Sequence, residues 1–156
     1  MSVSSEISLD HILRELGEAS SFLEKMNIQL DDSMLGKDNL VFRISIRASK
    51  DDELYIVEFN CEDYRHIPPY VEMIDPNTGE AGIKSAYPAD LFHPHLCICA
   101  RFNRKTYEEH SGLHKKWKYG DWQKEVSTNH IGGMISHIYN AIQGRMNGKP
   151  YKGRMQ

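Results

Sequence analysis

Residues 40 to 48 and 54 to 59 restrict the fold more than any other part of the chain. Phe42, Ile44 and Ile46 alternate with Arg43, Ser45 and Arg47, and a period of two puts the apolar set on one face of a half-buried strand. Ser49-Lys50-Asp51-Asp52 then forms a polar hairpin turn. Leu54 to Phe59, rich in apolar and β-branched residues, is a second strand, and neighbours joined this closely pair antiparallel.

The flanks supply helices. Leu9, Ile12, Leu13, Leu16, Ala19, Leu23 and Met26 recur at helical spacing; Ser8 is the expected N-cap, with Ile7 stapling onto Ile12 across it. Near the other end Ile131, Met134, Ile135, Ile138 and Ile142 make an apolar stripe that starts from Thr128 or Asn129 and stops at Gly144. Gly132 and Gly133 permit close approach early in that helix. Between the hairpin and this helix, Pro68-Pro69 stiffens a crossing that delivers Val71 to Ile74 as a short strand, and Asp75 to Gly79 is a turn. Residues 80–90 carry no pattern that assigns them. Arg101 to Glu125 shows no period and is expected to be an irregular flap. Residues 145–156 hold four basic and no acidic side chains and are expected to be a mobile or partner-bound tail. The expectation is one α+β domain over residues 1–156, with helices packed on a small antiparallel meander sheet.

Composition narrows the function. A net charge of -3 argues against a dedicated nucleic-acid binder. The stretch Met1 to Glu6 has neither the basic region nor the apolar run of a secretory signal, and no stretch approaches the roughly 20 apolar residues of a membrane span, so a cytoplasmic protein is expected. Three cysteines, Cys61, Cys97 and Cys99, are too few and too odd in number for a disulfide framework.

The chemistry concentrates in His93-Pro94-His95-Leu96-Cys97-Ile98-Cys99. A thiol whose pKa is lowered by a neighbouring imidazole is a strong nucleophile, whereas two buried thiols in a strand core do no chemistry. Zinc is the third possibility, because two imidazoles and two thiols are good ligands. On a strand all four would share a face at ~6 to 7 Å steps, too spread to reach one ion without folding back. Lys115, Lys116, Trp117, Lys118 and Tyr119 interleave basic and aromatic residues, which suits either a stacking surface for nucleic acid or a partner-docking surface beside the site.

Two further motifs stand in order along the chain. Asp63-Tyr64 followed by Pro68-Pro69 and Val71 resembles the strand-to-diproline signature of ubiquitin-conjugating enzymes, and Leu91-Phe92-His93-Pro94-His95 resembles the His-Pro-Asn motif that precedes their catalytic cysteine. Leu96-Cys97-Ile98 is similar to the family's Ile-Cys-Leu, and Trp117 or Trp122 to its tryptophan before the next helix. The compact His-Leu-Cys arrangement resembles most the short prokaryotic relatives found in ubiquitin-like conjugation and CBASS-type anti-phage operons. The resemblance covers most of the chain in element order and about twenty positions in identity.

That resemblance implies a UBC-like fold and acyl-thioester transfer without a cofactor or metal. The cysteine would take the C-terminal glycine of a ubiquitin-like protein, or of a partner such as a cGAS-like nucleotidyltransferase, from an activating enzyme and pass it to an acceptor. Cys97 is favoured as nucleophile, with Cys99 a second thiol or a structural one. His95 would replace the family asparagine as oxyanion donor or base. His93, Pro94, Tyr64, Pro68 and Pro69 would form the scaffold, and Lys115, Lys116, Trp117 and Trp122 the partner surface. A binding module that has lost catalysis is the main alternative, and a zinc domain the second.

Overall fold

The computed structural model describes residues 3–92, 96–110 and 117–156, the side chain of Tyr119 excepted. Its elements are helix α1 (Ser5–Lys25), strands β1 (Gln29–Asp31), β2 (Val41–Arg47), β3 (Leu54–Asn60) and β4 (Tyr70–Ile74), and helices α2 (Arg104–Glu109) and α3 (Ile131–Ile142). Short 3-10 turns span Lys84–Ala86 and Tyr119–Lys124. The α+β expectation holds: the four strands form one antiparallel meander in the order β1-β2-β3-β4.

The alternation in β2 and β3 does what its period requires. Phe42 lies opposite Phe59, Ile44 opposite Val57 and Ile46 opposite Tyr55, all buried on one face, and the rings of Phe42 and Phe59 stack with centroids 4.9 Å apart. Arg43 and Glu58 are paired in the same register on the other face, with Nη2 to Oε2 at 2.8 Å. A charge pair on the half-exposed face adds little stability but opposes a register slip that would bury both groups.

Helix α1 begins about one turn earlier than its periodicity indicates. Ser4, not Ser8, is the N-cap and accepts from the Ile7 amide. Ser8 is buried inside the helix, where its hydroxyl donates to the Tyr64 carbonyl at 2.7 Å. Ile7 and Leu13 are half exposed, so neither the staple nor Leu13 belongs to the core. The face that is buried, Ile12, Glu15, Leu16, Ala19 and Leu23, includes a carboxylate that an apolar-stripe reading leaves out. Helix α3 packs against α1 and touches β2. Gly133 is needed there, since a Cβ would stand 1.8 Å from the Ser127 carbonyl oxygen; at Gly132 a Cβ would make a tight contact, 3.3 Å from the Ala19 Cβ. Gly144, at φ +73°, closes α3 in a left-handed turn with Gly144 and Arg145 donating back to Ala141 and Asn140.

The tail expectation is corrected. Residues 145–156 pack along residues 85–89, with Ala89 donating to the Gly153 carbonyl and Met155 to that of Tyr87, both at 2.8 Å. Tyr151 is buried, and its hydroxyl meets the Tyr55 hydroxyl and the Asp51 carboxylate. Arg154 reaches Glu53, the Ser85 carbonyl and the Leu54 carbonyl. A basic, glycine-rich composition describes a tail in isolation; one aromatic anchor and one arginine among carbonyls decide that it docks.

The flap expectation is corrected too. Among the described residues, the run 101–125 contains α2 and a 3-10 turn, and Trp122 is fully buried. Trp122 tilts against Tyr64 at 5.8 Å, with the Arg65 guanidinium 5.5 Å from the Trp122 centroid. It is a core residue and cannot belong to a partner surface. No helix among the described residues is long and apolar enough to cross a membrane.

Candidate functional site

Strand β4 lies at the edge of the sheet, where unpaired main-chain groups ordinarily invite another strand. Side chains occupy that edge instead. The buried Asn103 amide accepts from the Val71 N–H and donates to the Val71 carbonyl, both at 2.9 Å. Tyr87 takes the next outward amide, that of Met73, on its hydroxyl at 3.2 Å. The second Nδ2 hydrogen of Asn103 goes to the Ile98 carbonyl at 2.8 Å, and its Oδ1 also caps α2 through the Lys105 amide. One side chain therefore ties the sheet edge, the cysteine segment and α2 together. Asn103→Ala leaves several buried main-chain groups without partners and is expected to cost about 2–4 kcal/mol in urea unfolding; a loss below about 1 kcal/mol would show that water replaces the amide.

The two cysteines held by this arrangement differ in their surroundings. Leu96 has φ +59°, and residues 96–100 form no continuous strand. Cys97 is fully buried, with Sγ 3.6 Å from the Thr106 hydroxyl. Burial pushes its thiol up to about 11, against the opposing influence of Thr106. Cys99 is only partly buried and lines a groove of about 430 Å³ together with Arg101, Trp117, Glu125, Thr128 and His137. Burial raises its pKa as well, and the positive charge of Lys149 acts in the opposite sense. Cys61, the remaining thiol, is fully buried and raised further by burial.

The groove walls are braced. Arg101 pairs with Glu125 at 2.9 Å and sits 5.3 Å from the centroid of Trp117, while the Tyr107 hydroxyl fixes the Arg101 carbonyl at 2.8 Å. From α3, His137 packs edge-on against Phe102 with centroids 5.6 Å apart. Burial lowers the His137 pKa below 6.5, so at neutral pH the imidazole is uncharged and keeps one nitrogen as an acceptor.

Of the residues singled out in the sequence, Tyr64, Pro68 and Pro69 are buried. Tyr64 donates to Glu15 at 2.7 Å, and the Pro69 carbonyl accepts from the Arg104 amide at 2.8 Å. Trp117 lines the Cys99 groove, whereas Trp122 does not. His93, Pro94, His95, Lys115 and Lys116 lie outside the described residues. Cys97 is interior and Cys99 partly exposed, yet the two lie close enough for Cys99 to bear on the ionisation of Cys97. Sequence reasoning missed Arg101, Asn103, Glu125 and His137. Only His137 carried a signal, as a titratable side chain beside Ile138 at the border of an apolar stripe.

These features define an α+β protein with a buried cysteine and, two residues on, a cysteine opening on a groove that also holds an imidazole. No protein-family model matches the chain, and no curated protein matches it.

Proposed function

We propose that this chain is an acyl-thioester carrier related to the ubiquitin-conjugating enzymes, and that Cys99 rather than Cys97 carries the acyl group. The observation that carries the reading is that Cys99 lines a groove and is partly exposed, whereas Cys61 and Cys97 are buried. The helix, antiparallel meander and following helix, the diproline before β4 and the His-Pro motif before the cysteines support it. In loading, the Cys99 sulfur attacks the carbonyl of an incoming C-terminal glycine thioester, the donor's sulfur leaves, and the proton from Cys99 ends on that sulfur. In discharge an amine attacks the Cys99 thioester, and the sulfur departs with the proton the amine loses. Loading exchanges one thioester for another and discharge turns a thioester into a more stable amide, so neither step lacks driving force, and position and proton handling limit the rate. The cargo is the C-terminal glycine of a ubiquitin-like protein or of another protein such as a cGAS-like nucleotidyltransferase, delivered by an activating enzyme, and the setting is anti-phage defence.

The test is intact-mass analysis after incubation with a synthetic glycyl-glycine peptide thioester. One acyl adduct, cleaved by a thiol reductant, lost in Cys99→Ala and kept in Cys97→Ala, is expected. An adduct that survives Cys99→Ala, or none at all, overturns the assignment. Burial acts against thiolate formation at both candidate cysteines, which favours a second reading, a binding module without catalysis; the absence of any adduct is the result that selects it.

A further inference from the structure

A raised thiol needs a base, and the described groove holds one. We propose that His137 carries the proton for Cys99, taking it as the thiol attacks the donor thioester and returning it to the departing sulfur; this rests on the carrier reading above. Three features of the fold place it there. The segment through Cys99 and helix α3 form walls of the same groove. Phe102, three residues after Cys99, packs edge-on against the His137 ring and fixes its orientation. No described residue hydrogen-bonds either ring nitrogen, in contrast to His11 and His130, whose rings are engaged by Arg14 and Asn129. The ring is thus held by packing and left open for a proton.

The surrounding charges permit this role. Among the described residues that line the groove, the charged groups Arg101 and Glu125 pair with each other at 2.9 Å. Helices α1 and strand β2, which also pack on α3, contribute no side chain to the groove. Lys149, in the turn bridged by Met146 and Lys149 after α3, favours the thiolate at Cys99. The proton balance closes without another reagent: the Cys99 proton passes to the neutral imidazole, the carbon–sulfur bond to the donor breaks as the bond to Cys99 forms, and the imidazolium protonates the donor thiolate. In discharge His137 accepts the proton of the attacking amine and gives it to the Cys99 sulfur.

The test compares wild type, His137→Gln and His137→Ala as full chains, reading acyl transfer from the glycyl-glycine peptide thioester and, separately, the pH dependence of Cys99 alkylation by iodoacetamide. Neutral His137 is the active form, so the wild-type transfer rate is expected to rise through an ionisation below pH 6.5 and then level. His137→Gln is expected to lower transfer at pH 7 about 10²-fold and to leave only the rise at high pH that follows thiol ionisation. Added imidazole is expected to restore part of the rate in His137→Ala, which a purely structural role would not allow. Wild-type acylation with an unchanged rate and pH profile in His137→Gln, and no imidazole rescue, overturns the role of His137 alone. No acylation of wild-type Cys99 overturns the carrier reading and this role with it, while the alkylation profile still reports whether His137 and Cys99 are coupled.

Discussion

Glu15→Ala is expected to destabilise the protein by about 3–5 kcal/mol in urea unfolding, the range for removing one partner of a buried, hydrogen-bonded charge. The Glu15 carboxylate is 4% exposed and joins three parts of the fold. Its Oε1 accepts from the Tyr64 hydroxyl at 2.7 Å and from the Ile131 amide at 2.9 Å, and its Oε2 accepts from Arg65 at 2.9 Å. Ile131 opens α3, so the carboxylate also sits where the helix dipole favours negative charge. Alanine leaves a phenol, a guanidinium and a main-chain N–H without partners in one place. Glu15→Gln keeps one acceptor oxygen but removes the charge facing Arg65, and should cost less than alanine. A Glu15→Ala protein within about 1 kcal/mol of wild type would mean that water enters and the carboxylate is not the tie described.

The same cluster sets an alkaline limit on stability. Burial, followed by the charge of Glu15, raises the Tyr64 phenol far above its ordinary value of 10. The folded chain therefore holds this proton where the unfolded chain has already lost it. The contribution is complete below pH 10 and is lost as pH rises beyond it. Glu15→Ala should weaken that dependence, because it removes the charge while Tyr64 stays among α1 and Trp122.

The second large effect concerns the thiols. Under native conditions iodoacetamide should label Cys99 at least about 10³-fold faster than Cys61 or Cys97, since fully buried thiols react only when the surrounding structure opens. Peptide mapping after brief labelling reads the order directly. Comparable labelling of Cys97 and Cys99 would show that the segment held by Asn103 opens readily, and would remove the reason for choosing between them. Asn103→Ala should speed Cys97 labelling more than that of Cys99, because Asn103 holds the Ile98 carbonyl between them.

The strands at residues 41–47 and 54–60 were legible because alternation is a local consequence of a pleated backbone with one dry face. The stripe of α3 was legible for the same reason at helical period, and Gly132, Gly133 and Gly144 because a missing Cβ has few uses. Strand β1 was not, since three residues are too few to show a period and their pairing with Arg43, Ile44 and Ser45 is a long-range fact. Asn103 looked like any loop asparagine, and nothing near it in the chain announces the sheet edge it occupies.

Sequence alone determined that this chain builds a small antiparallel sheet with an amphipathic helix on each flank. Periodicity and residue type are local properties, and they suffice for that. Tertiary structure alone decided that Cys97 is interior and Cys99 faces a groove, that Trp122 is core, and that residues 145–156 are docked. Each of these depends on which distant side chains meet: Thr106 at Cys97, the residues that line the Cys99 groove, Tyr64 at Trp122, Asp51 at Tyr151. Cys97 and Cys99, two residues apart, differ in exposure; the left-handed turn at Leu96 and the Asn103 bond to the Ile98 carbonyl that shape this segment have no signature in the spacing of cysteine and histidine.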